Sequence, residues 1–205
     1  MTTVRKIELE SIFLISIVAA ASIFFVVQRN NQFNLPFVSI NSPLPTPAPE
    51  QNIFSQISPD GTRKIIMEAI SNKDNTRTYS FSTSDGSGDN EKFVFSKTLD
   101  MANTMTIPYN TWSSNNQYFF IQENAKEGNK VFVFNASGDS FRQGERYFDV
   151  TDLFKKKDTG NNFKEATGWA SESLIIINTT KEDRKKGPSY WFEVPSKQII
   201  QLSTE

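Results

Sequence analysis

Beyond residue 50 the chain alternates short apolar runs with small polar clusters, and the runs are of strand length. NIFSQIS, RKIIMEAI, TYSFSTS and EKFVFSKT come first, then YNTWS, QYFFIQE, KVFVFNA and RYFDVTDLF, then EATGWAS, LIIINTT, SYWFEVPS and KQIIQLST. β-Branched and aromatic residues fill them, and Ser, Asn, Asp and Gly separate them, which is the pattern of strands joined by turns. The inner runs of each group are almost continuously apolar, which predicts strands covered on both faces. The outer ones alternate, as in Phe93/Phe95 and Ile200/Leu202, which predicts one wet face.

The pattern repeats. Ile57-Ser58-Pro59-Asp60-Gly61 precedes RKIIMEAI, Trp112-Ser113-Ser114-Asn115-Asn116 precedes QYFFIQE, and Trp169-Ala170-Ser171-Glu172-Ser173 precedes LIIINTT. The bulky residues that open these segments, Ile57, Trp112 and Trp169, lie 55 and 57 residues apart. Pro presets φ at a turn, Asp or Asn bonds back to the backbone, and Gly or Asn accepts positive φ, so SPDG and SSNN read as turns and ASES as a weaker one. Trp112 and Trp169 share one position in the repeat and are expected in the core. Units of four strands at a regular period are the mark of propeller blades. The expected fold is all-β: three four-stranded propeller-like blades over 52–205, a partial or open β-propeller, preceded by one N-terminal transmembrane helix. Propellers close with roughly four to eight blades. Three therefore imply pairing with a second copy to complete a ring, an irregular sandwich of the three sheets, or a different all-β fold with the same rhythm.

The stretch ISPDGTRKIIM, echoed by TWSSNNQYFFI and GWASESLIII, resembles the WD40-like PD40 repeat of TolB-type and dipeptidyl-peptidase-type β-propellers. Ser58, Pro59, Asp60 and Gly61 match the motif in full, and the second and third units lack its Pro and Gly. In that family the motif is a hairpin turn between the first two strands of a blade. The resemblance implies a fold and carries over no catalytic or binding residue.

Ahead of the repeats, SIFLISIVAAASIFFVV runs from Ser11 to Val27, 17 residues without a charge. It would span about 26 Å as a helix, and Arg5, Lys6 and Arg29 would extend it by snorkelling. The run is longer than a usual signal-peptide core, and QRNNQF after it offers no small-x-small cleavage site, so an uncleaved anchor over 11–28 is preferred to a cleaved signal. More positive charge precedes the run than follows it. Residues 1–10 are therefore expected in the cytoplasm and the C-terminal domain outside, at the cell membrane. Residues 29–51 read as a linker in which Pro36, Pro43, Pro45, Pro47 and Pro49 favour an extended, semi-rigid tether.

Composition narrows the function. The 205 residues carry a formal charge of -1, with no Cys and no His. A near-neutral chain does not suit nucleic-acid binding by bulk charge. The missing residue types remove disulfides, thiolate and imidazole metal sites, and the commonest general base. No nucleophile elbow or nucleotide-binding loop is present, and no cofactor is expected. Asp85, Ser87 and Asp89 put oxygens at alternate positions, as calcium loops do. Asn90 and Ser96 stand where such a loop needs Gly and an acid, so a hairpin turn is the preferred reading. Lys155-Lys156-Lys157 and the run Lys181–Lys186 read as solvated loops. Tyr190 and Trp191 are adjacent, so one of them is a candidate outward-facing aromatic for a sugar or peptide. These readings point to a non-catalytic, membrane-anchored, extracytoplasmic domain for binding a protein or an envelope polymer, with the lipid bilayer engaged by 11–28. The alternatives are an accessory or substrate-binding fragment of a propeller-bearing hydrolase or peptidase system, and a carbohydrate-binding module.

Overall fold

A computed structural model describes residues 51–202, which lie within the unit running from Ala48 to Glu205. The expected anchor over 11–28 and nearly all of the tether fall outside the described residues. Among those described, no helix is long and apolar enough to cross a membrane.

Three four-stranded antiparallel sheets make up the fold, and in each the strands lie side by side in chain order. The first holds β1 (Gln51–Ile57), β2 (Arg63–Ser71), β3 (Thr76–Asp85) and β4 (Lys92–Asp100). The middle sheet holds β5 (Thr104–Thr106), β6 (Tyr118–Asn124), β7 (Lys130–Asn135) and β8 (Phe148–Asp149). The third holds β9 (Asn162–Trp169), β10 (Leu174–Thr180), β11 (Tyr190–Glu193) and β12 (Gln198–Gln201). Meanders of this kind need only short turns, and Asn75, Asn116, Arg184 and Lys197 supply positive φ in four of them.

Two apolar clusters hold the sheets together, and the middle sheet belongs to both. Phe119, Ile121, Phe132 and Phe134 join Ile65, Met67, Phe81 and Phe95 of the first sheet. Phe120, Val131 and Val133 point the other way and join Ile175, Ile177, Tyr190 and Phe192 of the third. Alternate residues of a strand face opposite sides, so the unbroken runs YFFI and VFVF are what a sheet covered on both faces requires. Aromatic contact tightens the first cluster: the Phe119 and Phe134 rings stack at 5.2 Å, and Phe95 lies 5.4 Å from Phe132.

Elsewhere the expectation of two covered faces is corrected. In β2, Ile65, Met67 and Ala69 are buried while Ile66, Glu68 and Ile70 are half-exposed. In β10, Ile175, Ile177 and Thr179 are buried while Leu174, Ile176 and Asn178 are not. Both strands read as continuous apolar runs, yet each has a neighbouring sheet on one face.

Two strands of the middle unit also differ from expectation. YNTWS is not a strand: β5 forms at Thr104–Thr106, and of the expected residues Trp112 alone bridges to β6, at Phe119. Pro108 brings no backbone donor, and residues 107–110 leave the ladder there, which resumes where the Thr111 carbonyl accepts the Phe120 amide at 3.1 Å. RYFDVTDLF, expected as one strand, gives the two residues of β8 and then helix α1 (Val150–Lys156). Asp149 caps the helix by accepting from the Asp152 amide at 2.9 Å, and Lys155 and Lys156 sit at the favourable C-terminal end. The first basic run is thus mainly a helix end. The helix substitutes for the missing length of β8, because Thr151 Oγ1 accepts the Val131 amide at 3.1 Å and Phe154 packs on Tyr190 at 5.1 Å.

A part-buried ion pair joins β4 of the first sheet to β6 of the middle one. Lys97 Nζ lies 2.6 Å from Glu123 Oε2, whose side chain is 5% exposed, and 5.3 Å from the centre of the Phe132 ring. Removing the cation leaves a buried carboxylate unpaired, so Lys97→Met should cost about 3 kcal/mol in chemical denaturation. The double variant Lys97→Met/Glu123→Leu should recover most of that loss, and additive losses would show that the two groups do not act as a pair.

Candidate functional site

The first two repeat turns are built from the same hydrogen bonds. The Ser58 amide donates to the Arg63 carbonyl at 2.8 Å and the Gly61 amide to the Ser58 carbonyl at 2.9 Å. Ser58 Oγ takes the Arg63 amide at 3.0 Å and gives its own proton to Asp60 at 2.6 Å, while the Thr62 amide donates to Asp60 at 3.0 Å. In the second turn Ser113, Asn115, Asn116, Gln117 and Tyr118 repeat all five bonds, at 2.9, 2.9, 3.0, 2.9 and 3.1 Å. Gly61 and Asn116 hold the matching positive φ, at 74° and 56°. The third turn is a residue shorter and closes with the Ala170 amide on the Leu174 carbonyl at 2.8 Å. Pro59 lines the cavity described below.

This correspondence fixes equivalent residues without appeal to sequence identity. Ile57 pairs with Lys64, Trp112 with Phe119, and Trp169 with Ile175, so Ile57, Trp112 and Trp169 hold one position. Trp112 is buried in the first cluster. Trp169 packs on the second, stacks on Tyr118 at 6.2 Å and donates its indole N–H to the Thr111 carbonyl at 3.0 Å. Among the described residues Ile57 has no sheet to lie under, and it is 53% exposed.

The end sheets present further apolar side chains away from both clusters. On the first sheet these are Ile53, Ile66 and Phe93, which share a face through the pairings Ile53–Glu68, Ser55–Ile66 and Ser82–Phe93. On the third they are Ile176, Trp191 and Ile200, opposite one another across β10, β11 and β12. Of the adjacent aromatics, Tyr190 is buried, with its hydroxyl accepting from Asn161 at 3.0 Å, and Trp191 is the one that faces outward.

A cavity of about 820 Å³ opens along the first strands of the sheets. Loop 107–111 forms one wall and ties the sheets together: Gln56 donates to the Tyr109 carbonyl at 2.8 Å, and Asn110 to the Thr167 carbonyl at 3.3 Å. Gly168 adopts φ +142°, and a Cβ there would meet Asn110 at 3.1 Å, so the close approach needs glycine. Tyr109 stands 91% exposed at the rim, with Trp112 and Trp169 behind it. No carboxylate, lysine or arginine lines this cavity. It offers amides and aromatic faces, which can bind, and no paired acid and base. Tyr109 was not singled out from the sequence; its signal was an aromatic between Pro108 and Asn110 in a stretch too polar to stay in a sheet.

The acidic loop is brought together as one turn. Asp85 accepts from Ser87 Oγ at 2.7 Å, from the Asp89 amide at 2.7 Å and from Asn90 at 3.0 Å, and Ser87 also contacts Asp89 at 2.9 Å. These bonds, led by that of Ser87, hold the Asp85 carboxyl below its usual range. Among the described residues no group of three His, Cys, Asp or Glu is placed to hold a metal. The second basic run is the β10–β11 turn, where Lys185 pairs with Asp183 at 2.9 Å. Comparison of the sequence with protein-family models and with curated proteins finds no match.

Ser58 and Ser113 are buried, and each satisfies a strand's first amide. Ser58→Ala and Ser113→Ala should each lower unfolding free energy by about 1–2 kcal/mol in urea titration. Asp60 is held down to about 2, chiefly by Ser58 and then by the Thr62 amide and hydroxyl. A lowered carboxyl stabilises the fold above the ordinary carboxylate range and loses that contribution as pH falls through the folded value. Asp60→Asn keeps the acceptor, as Asn115 does in the second turn. Its melting temperature should therefore fall less steeply than the parent's between pH 4 and about 2.

Proposed function

We propose that the chain is a membrane-anchored, extracytoplasmic interaction module, non-catalytic, whose sheets are three blades of an open β-propeller. One observation carries this reading. Apolar side chains on both end sheets face away from the cores, at positions that meet a neighbouring sheet elsewhere in the stack. Exposed apolar groups in such register mark a surface made to be covered. The propeller reading, with its resemblance to the PD40 repeat, draws support from three meanders in chain order and from the two matching turns between first and second strands. The anchor rests on the uncharged run over 11–28 and on the charge bias around it. The absence of His and Cys, together with a cavity lacking acid and base, favours binding over catalysis.

Carbohydrate binding is a second reading, favoured by exposed Tyr109 beside a cavity of amides and indoles.

Protease added to intact cells should remove the folded domain while leaving a membrane-embedded stub. Protection of the domain until lysis would reverse the topology. In native membranes, a photo-cross-linking side chain at Ile53 or Trp191 should give protein adducts, whereas one at Lys155 should give none. Freedom from adducts at both faces would remove the interaction reading. Heat on titration with cell-wall glycan, abolished by Tyr109→Ala, would favour the carbohydrate reading.

A further inference from the structure

We infer that the partner is a second copy of this chain: the outer face of the third sheet packs on the outer face of the first sheet of the other copy, twice over, closing a ring of six sheets from two chains. The inference rests on the reading of the sheets as blades and names their partner.

The stack has a direction. Counting from the matched turns, Ile65, Phe120 and Ile176 hold one position of the second strand. Ile65 meets the middle sheet, Phe120 meets the third, and Ile176 belongs to neither cluster. One residue further along, Ile66, Ile121 and Ile177 correspond. Ile177 meets the middle sheet, Ile121 meets the first, and Ile66 again belongs to neither cluster. Each sheet thus offers a leading face to the trailing face of the next. The free leading face of the third sheet and the free trailing face of the first are the two halves of one joint. Such a contact is heterologous, so like faces do not pair, and it must close or propagate. Six blades lie within the range in which propellers close, and three do not.

Side-chain size supports the match. Thr83, Val133 and Trp191 correspond on the leading faces, through their pairing with Ile65, Phe120 and Ile176. Ser82, Phe132 and Tyr190 correspond on the trailing faces, through Ile66, Ile121 and Ile177. Inside the chain a small leading residue and a large trailing one, Val133 and Tyr190, belong to the same cluster. At the open joint the order is reversed, with large Trp191 facing small Ser82. The trailing face of the first sheet has a groove of about 450 Å³ lined by Ser80, Ser82, Ile53, Ile66 and Phe93 and by the carboxylates of Glu68 and Glu91, the second accepting from Ser82 Oγ. Interdigitation of large and small side chains is what native packing density requires. It also accounts for a tryptophan that neither core uses.

The test uses the full chain in detergent. Sedimentation should give twice the 23.3 kDa chain mass for the protein part. The chain has no cysteine, so single cysteines can be introduced cleanly. Ser82→Cys and Ile200→Cys chains, mixed and treated with a short bismaleimide, should form a covalent dimer, and neither should do so alone. Ile53→Glu and Trp191→Ser should each weaken the dimer by about tenfold or more, with circular dichroism of the domain unchanged. A monomer at all concentrations, a species larger than a dimer, or cross-linking of Ser82→Cys chains with one another would overturn the inference. A monomer that still gave adducts to other membrane proteins would end self-pairing and leave the interaction reading standing. A monomer without adducts would end both.

Discussion

Phe119 and Phe120 are neighbours in the chain and point to opposite sides of the middle sheet, and both are fully sealed from water. Each is the middle sheet's share of a different apolar cluster, so the two outer sheets are held through it. Burial of large side chains contributes about 2–3 kcal/mol apiece. The Lys97–Glu123 pair, the Trp169 bond to Thr111 and the helix that completes β7 are all arranged around that central sheet.

The same constraint leaves apolar side chains facing outward at both ends of the stack. A sheet is satisfied when both faces are covered or when one face is polar. The first and third sheets meet neither condition fully. Their inward residues are as apolar as those of the middle sheet, while Ile53, Ile66 and Phe93 at one end and Ile176, Trp191 and Ile200 at the other face outward. They are interleaved with Ser80, Ser82, Glu68 and Glu193, a mixture of apolar and polar side chains like that of protein interfaces.

Turn chemistry sets where these faces lie. The Ser-x-Asp/Asn geometry at Ser58 and Ser113 starts β2 and β6 in the same phase, and strand side chains alternate strictly, so one residue of slip would exchange inside for outside. The shorter third turn preserves the phase by a different closure, at Ala170 and Leu174. Much of this was legible in the chain: ten of the twelve apolar segments as strands, the shared position of Ile57, Trp112 and Trp169, and the turns at Asp60 and Asn115. Less legible were α1 and the loop around Tyr109. DVTDLF sets Val150, Leu153 and Phe154 at helical spacing, but over barely two turns and directly after the strand-like RYF, and its capping by Asp149 rests on a single amide. YNTWS has a strand's aromatic content, but Pro108 and the reach of Asn110 to Thr167 draw it out of the ladder.

Strand and turn positions depend on residues close together in the chain, through backbone sterics, side-chain alternation and short-range hydrogen bonds, and so the sequence by itself determined them. It also determined that no thiol or imidazole chemistry is available. Which face of each strand is covered depends on residues a whole sheet away. Ile65 and Ile66, or Tyr190 and Trp191, are chemically alike and adjacent, and only the placement of the middle sheet buries one of each pair and leaves the other to water.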